Sequence, residues 1–237
     1  MKYDWQWSIF TQTAADGSGT WLNYLLGGLA WTMLTALAAW VLALSIGSVI
    51  GTLRTTPNRW LVRVGNAWVE LFRNIPHLVQ IFLWYHVIPA LIPPLKSVPS
   101  FLLVVLALGF FTSARVAEQV RAGIQSLSGG QRNAGLAMGL TLPQTYFHVL
   151  LPMAFRIVIP PLTSEAMNII KNSSVAFAVS VAELTMFAMQ AQEETSRGIE
   201  VYLAVTGLYI VTAMTINRIM AYVETRVRVP GMIGGDK

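Results

Sequence analysis

Long apolar runs without charge alternate along this chain with short basic segments. Residues 17–53 contain no Asp, Glu, Lys or Arg, and residues 74–95 contain none either. Each run exceeds the roughly 20 apolar residues that a helix needs to cross a bilayer. The pattern predicts an all-α integral membrane protein with about five transmembrane helices, at 24–52, 74–95, 99–120, 157–187 and 200–222. The fourth is expected to be broken, because charged residues lie at or near its limits: Arg156, Glu165, Lys171 and Glu183.

The basic residues predict the orientation of these spans. They cluster in the first connection, the third connection and the tail: Arg54, Arg59, Arg63 and Arg73; Arg121 and Arg132; Arg226, Arg228 and Lys237. Because Lys and Arg favour cytoplasmic loops, the amino terminus is expected outside and the carboxyl terminus in the cytoplasm. The net charge of +5 then indicates topology and contact with anionic lipid headgroups, and not nucleic-acid binding.

Composition excludes several other classes of protein. The chain is 54% hydrophobic and 11% charged, whereas soluble domains carry about 25% charged residues. It has no cysteine, which excludes disulfides and cysteine-ligated metal centres. Its histidines are His77, His86 and His148, and their spacing matches no metal-binding motif, so we expect no metal site.

Residues 127–131 read LSGGQ, the letters that mark an ATP-binding-cassette ATPase. Such an ATPase also needs a G-x-x-x-x-G-K-[ST] loop and a strand that ends in a metal-holding Asp. The chain has no such loop, and its aspartates are Asp4, Asp16 and Asp236. We therefore expect it to bind no nucleotide. The letters instead predict a capping box, Ser128 with Gln131, that starts a short helix ending at Gly139.

A second capping box follows almost immediately. Thr141 and Gln144 form it, with Pro143 in the first turn, and they predict another short helix through Tyr146 to Leu151. Two short helices joined at a glycine suit a DNA-reading motif, a false ATPase signature or a docking loop. Because this segment lies in a predicted cytoplasmic loop of a membrane protein, we favour the docking loop.

The same segment resembles a loop of a known family. Asn133-Ala134-Gly135, Gly139 and Val149-Leu150-Leu151-Pro152 keep the spacing of E-A-A-x-x-x-G-x9-I-x-L-P, the coupling loop in membrane subunits of bacterial ABC importers. Asn133 replaces the usual Glu, and Gly135 the usual Ala. The resemblance implies a type I ABC importer permease fold, with a coupling loop at 128–151 whose residues Asn133, Ala134, Gly135 and Gly139 contact an ATPase. Alternatively, these small residues pack against neighbouring spans.

Three further stretches resemble one branch of that family, the polar amino-acid permeases of the histidine/glutamine/glutamate type. They are Glu70-Leu71-Phe72-Arg73-Asn74-Ile75-Pro76, Ala117-Glu118-Gln119-Val120-Arg121, and Pro160-Pro161-Leu162 followed by Lys171-Asn172-Ser173-Ser174. Within the branch the chain is most similar to glutamate/aspartate permease subunits, through Trp5-Gln6-Trp7 and the closing Val227-Arg228-x-Pro230-Gly231.

The resemblance implies a domain arrangement and a set of partners. Residues 1–20 would form an external segment, 21–225 the transmembrane domain and 226–237 a cytoplasmic tail. The chain would be an inner-membrane permease subunit for glutamate or aspartate, with no cofactor of its own. Its partners would be a dimer of ATP-binding ATPase subunits, a second permease subunit, identical or sister, and an external amino-acid-binding protein. The alternatives are a stand-alone secondary transporter or channel and, less well supported, an intramembrane enzyme.

Two groups of residues are candidate substrate contacts. Arg115 and Glu118 lie three residues apart and share one face of the third predicted span. They either pair with each other, or Arg115 binds a substrate carboxylate while Glu118 meets an amino group.

The second group is Lys171, Asn172, Ser173 and Ser174. We expect a break there, before a half-helix whose free amides and positive dipole end favour a carboxylate. Ordinary capping at a kink by Asn172 or Ser173 is the alternative.

Overall fold

Helices account for most of the part of the chain that the structure describes. The computed structural model describes residues 3–15, 17 and 19–227. We label the helices α1 Trp21–Leu53, α2 Arg59–Asn74, α3 His77–Leu91, α4 Ser100–Gln125, α5 Gly129–Ala137, α6 Leu142–Val179, α7 Leu184–Thr195 and α8 Gly198–Val227. Short 3-10 turns also form at Trp7–Thr11 and Pro93–Ser97.

Among the residues that the structure describes, four helices are long and apolar enough to cross a bilayer: α1, α4, α6 and α8. They overlap the first, third, fourth and fifth predicted spans, although α6 begins and ends earlier than the fourth span predicted at 157–187. The second predicted span, 74–95, coincides with α3, which is apolar but shorter. It starts only at His77 because Ile75, the residue before Pro76, has the extended backbone that a following proline imposes.

Two helices contain a π turn just ahead of a proline. The π turn Leu83–Val87 in α3 precedes Pro89, and Tyr146–Leu150 in α6 precedes Pro152. Proline lacks an amide hydrogen and its ring crowds the carbonyl four residues earlier, and a widened turn accommodates both effects. The short helix predicted to end at Leu151 is therefore wrong as a separate element, because it continues through Pro152 as part of α6.

The connection between α1 and α3 is helical, which the apolar pattern did not predict. Asn58 caps α2 by accepting a hydrogen bond from the Trp60 backbone amide at 2.9 Å. Gly65, Val69 and Phe72 form its buried face. Their spacing of four and three residues is the sequence signal for an amphipathic helix.

The chain divides into two compact units, each with its own core. The first comprises the described residues up to Ala39, His77–Leu108 and Asn168–Ile216. Its core includes Leu25 of α1, Leu184 of α7 and Val201 of α8. The second comprises Trp40–Pro76, Gly109–Met167 and the described residues from Asn217 onward. One of its cores joins Val116 and Val120 of α4 to Val158 and Leu162 of α6.

In the first unit, the amino-terminal segment is fastened to the start of α8. Glu200 accepts hydrogen bonds from the Tyr3 hydroxyl at 2.6 Å and the Gln6 amide at 2.9 Å. Acceptance by this carboxylate raises the pKa of the Tyr3 hydroxyl, so the hydroxyl remains a donor. Arg197 donates to the Asp4 carbonyl at 3.1 Å. Glu200 itself is fully buried.

Candidate functional site

The predicted helix after the LSGGQ letters forms as α5 and ends at a glycine stop. Gly139 has φ of +85°. Its amide donates to the Leu136 carbonyl at 3.0 Å, and the Leu140 amide donates to the Gly135 carbonyl at 3.2 Å. This pair of bonds is a Schellman motif, which needs a left-handed residue and so favours glycine. The glycine stop predicted at Gly139 is therefore confirmed.

The two predicted capping boxes have opposite outcomes. Ser128 is the N-cap of α5, but its side chain makes no capping hydrogen bond, so the first box is wrong. Thr141 and Gln144 do form the second box, in which the Gln144 side-chain oxygen accepts from the Thr141 backbone amide at 2.8 Å. Pro143 lies in the first turn, where a missing amide costs no intrahelical hydrogen bond.

The residues of α5 divide between an exposed face and a buried contact. Asn133 and Ala134 are exposed, whereas Gly135 is buried against the start of α6. A Cβ on Gly135 would lie 2.7 Å from the Thr145 side-chain methyl, so only glycine allows this approach. Gly135 therefore packs against the start of α6 within its own unit.

Large apolar side chains surround the exposed face of this loop. Met138 is 83% exposed, Phe147 is 71% exposed and Leu136 is 40% exposed. Monomeric proteins rarely leave such a group of side chains uncovered, so the loop has the character of an interaction surface.

Glu118 lies at the centre of a cluster of arginines in the second unit. Its carboxylate is 3.1 Å from Arg54, 3.3 Å from Arg73 and 2.9 Å from Arg121. Arg73 also contacts Glu70 at 3.3 Å. The carboxylate thus ties together the end of α1, α2 and α4, and of the two alternatives, the one in which Glu118 pairs with Arg115 is wrong. Its partners are Arg121, three residues later on the same helix, together with Arg54 and Arg73 from neighbouring segments.

Arg115 instead faces Glu165 of α6. Their nearest side-chain atoms are 3.6 Å apart, and the Arg115 guanidinium lies 5.0 Å above the Phe111 ring. Gln119, one turn along α4, donates to the same Glu165 carboxylate at 3.5 Å. Arg115 keeps 43% of its side chain exposed, whereas Glu165 keeps 11%. The site thus presents an accessible guanidinium beside a mostly buried carboxylate.

The predicted break of the fourth span is present, but it differs from the expected start of a new helix. At Ser173 the α-helical part of α6 changes to a 3-10 segment that ends at Ser180, whose φ is +55°. Ser173 and Ser174 donate their hydroxyls to the Ile170 and Lys171 carbonyls, each at 2.7 Å. The chain stays helical through Asn172, so no free amides arise at these positions.

The helix that does begin beyond the break is α7, and its first amides are already bonded. Glu183 accepts from the Thr185 amide at 2.8 Å and the Met186 amide at 2.7 Å. Thr32 of α1 accepts from the Leu184 amide at 2.9 Å. The expectation of a helix end open to a substrate carboxylate is therefore wrong, because the protein supplies its own carboxylate there.

Within residues 3–15, 17 and 19–227, no group of three or more His, Cys, Asp or Glu side chains is arranged to hold a metal ion. Two candidate functional sites remain in the second unit: the Arg115–Glu165 pair and the exposed loop of α5.

Known proteins resemble this chain over nearly its whole length. Residues 43–229 match the family described as the inner membrane component of binding-protein-dependent transport systems. The chain is 44% identical over 245 residues to the glutamate/aspartate import permease protein GltJ of Escherichia coli (strain K12), covering 99% of this chain and 100% of that protein. It is 34% identical over 201 residues to the probable glutamine ABC transporter permease protein GlnM of Bacillus subtilis (strain 168), covering 85% and 92%.

A solved structure gives the same result for the fold. The structure described as an amino acid ABC transporter with histidines superposes with a TM-score of 0.76 at 28% identity, covering 87% of this chain and 95% of that one. The all-α permease fold of type I ABC importers predicted from the sequence is therefore confirmed.

Proposed function

Because the chain belongs to the family of inner membrane components of binding-protein-dependent transport systems, we propose that it is the permease subunit of an ATP-driven importer of glutamate or aspartate. The choice of an acidic amino acid as substrate rests on Arg115, whose accessible guanidinium lies within the apolar helix α4. A charge inside a span is costly and therefore indicates function. The E. coli glutamate/aspartate permease named above supports the same substrate.

Arg115 binds a carboxylate of the amino acid as it passes through the permease. A guanidinium offers paired donors that match a carboxylate, and the Phe111 ring holds the group in place from one side. Glu118 has no part in this contact, because its oxygens already face three arginines. Lys171, Asn172, Ser173 and Ser174 remain a secondary candidate for polar contact with the substrate.

The loop around α5 couples this subunit to a separate ATPase, which binds and hydrolyses ATP. Asn133 and Ala134 lie on the exposed face, Gly135 holds the helix close to α6, and Gly139 sets the turn between them. The exposed Met138 and Phe147 supply apolar area for docking. The loop is cytoplasmic, which places the amino terminus outside and the carboxyl terminus inside.

The remaining partners complete the importer. A second permease subunit, identical or sister, and an external amino-acid-binding protein assemble with two ATPase subunits. The proposed domains are the external segment 1–20, the transmembrane domain 21–225 with its coupling loop at 128–151, and the cytoplasmic tail 226–237.

Reconstitution into liposomes tests this function. The complete complex, with binding protein outside and ATP inside, should accumulate labelled glutamate and aspartate, and an ionophore that collapses ion gradients should not stop it. Omission of ATP should abolish uptake. Uptake that survives ATP depletion at a fixed ion gradient would instead identify a secondary transporter.

A further inference from the structure

The carboxylate beside Arg115 has unused capacity to accept hydrogen bonds. Glu165 lies 3.6 Å from Arg115 and 3.5 Å from Gln119. Charge-assisted hydrogen bonds in proteins are ordinarily about 2.7–2.9 Å long. A carboxylate has about four lone-pair positions. Glu165 is mostly buried, yet its nearest hydrogen-bond donors lie farther away than the usual distance for such bonds.

The Glu118 cluster in the same unit shows what a structural ion pair looks like in this protein. Arg121 approaches Glu118 to 2.9 Å and Arg54 approaches it to 3.1 Å. A clamp between α4 and α6 would be expected to close to similar distances. The Arg115–Glu165 pair is longer, at 3.6 Å, and Arg115 keeps 43% of its side chain exposed.

We propose that Glu165 accepts the ammonium group of the amino-acid substrate while Arg115 binds one of its carboxylates. This inference rests on the proposed function, since it concerns the same site. An amino acid carries a cation and an anion on adjacent atoms, and the site carries the opposite pair on facing helices. Insertion of the substrate replaces one long ion pair by two shorter ones, and Gln119 stays as a second donor to Glu165.

Glu165 thereby selects amino acids from plain carboxylic acids. Glutarate has the two carboxylates and the carbon chain of glutamate but lacks the amino group. It satisfies Arg115 and leaves Glu165 without its cation, next to the added negative charge. A buried carboxylate that faces a second carboxylate is destabilised, so glutarate binds more weakly than glutamate.

Direct binding to the assembled permease and ATPase complex, without the binding protein, isolates this site. Labelled glutamate and labelled glutarate are titrated against wild type and Glu165→Gln. We expect the substitution to weaken glutamate binding about ten- to a hundredfold, while glutarate binding is unchanged or tighter. Glu165→Asp keeps the charge on a shorter side chain and should keep part of the preference for glutamate. Glu70→Gln, an exposed carboxylate beside Arg73, is the matched control and should change neither affinity.

Several outcomes overturn the inference. Equal weakening of both ligands would make Glu165 a positioning residue for Arg115, and no weakening of either would remove it from the site. A complex that dissociates with Glu165→Gln and reassembles with Arg115→Gln added would identify a structural clamp. Failure of the wild-type complex to bind glutamate would also overturn the inference, while ATP-driven uptake of glutamate by that complex would leave the proposed function intact.

Discussion

The Nη2 atom of Arg54 lies 3.1 Å from Oε1 of Glu118, and only 8% of the Arg54 side chain is exposed. The Arg54 Nε atom also donates to the Asn66 side chain of α2 at 2.8 Å. A buried guanidinium must keep a counter-charge, because an uncompensated buried charge is strongly destabilising. The packing of α2 onto the end of α1 therefore depends on a carboxylate supplied by α4.

Glu118→Gln should lower the stability of the protein markedly. The substitution leaves Arg54 buried without its counter-charge, a loss of about 3 kcal/mol. Thermal unfolding of the purified chain in detergent, followed by intrinsic fluorescence, measures the effect. Glu70→Gln also removes a carboxylate from Arg73, but its side chain is 59% exposed, so it should cost less than about 1 kcal/mol. Equal shifts for the two variants would contradict this assignment.

Gly139→Val should impair transport, whereas Gly139→Asn should preserve most of it. A Cβ at position 139 meets nothing within 4 Å, so the only obstacle is the backbone φ of +85°. Asn tolerates this left-handed conformation and a β-branched residue does not. ATP-driven glutamate uptake, normalised to the amount of protein in the membrane, distinguishes the two. Wild-type uptake by Gly139→Val would show that the turn is not required for coupling.

Ser128→Ala and Thr141→Ala should differ although both remove a hydroxyl at a helix start. Ser128 makes no capping bond, so its replacement should change stability by less than about 0.5 kcal/mol. Thr141 belongs to a capping box, and its loss should cost about 1 kcal/mol. Paired thermal unfolding of the two variants provides the measurement. The isolated chain should also bind no ATP, and detectable nucleotide binding would contradict our interpretation of residues 127–131.

Glu200→Ala should release the amino-terminal segment from α8. The substitution removes the acceptor for both the Tyr3 hydroxyl and the Gln6 amide, each worth about 1 kcal/mol. Limited proteolysis should then cleave within residues 3–15 faster than in wild type. Glu194→Ala, an exposed acid on α7, serves as the control and should leave the cleavage rate unchanged. Identical rates in the two variants would show that the segment is held by other contacts.

The sequence predicted the elements whose cause is local. The uncharged run at 17–53 corresponds to α1, and the left-handed stop at Gly139 and the capping box at Thr141 formed where their letters indicated. Ser128 shows the limit of such motifs, because a hydroxyl three residues before Gln131 does not have to turn toward the helix. The sequence analysis did not predict the amphipathic helix α2, because the arginines of this segment suggested a loop. The spacing of Gly65, Val69 and Phe72 nevertheless matches the period of a helix.

By itself the sequence determined the membrane class, the positions of the long spans, the coupling-loop motif and the family, since these depend on composition, periodicity and spacing along one chain. Only the tertiary structure decided which charges meet between different helices. Arg115 and Glu118 share a helix face in the sequence, yet Arg115 faces Glu165 and Glu118 faces Arg54. An ion pair depends on which helices lie side by side and on which side chains lose water there, and spacing along the chain specifies neither.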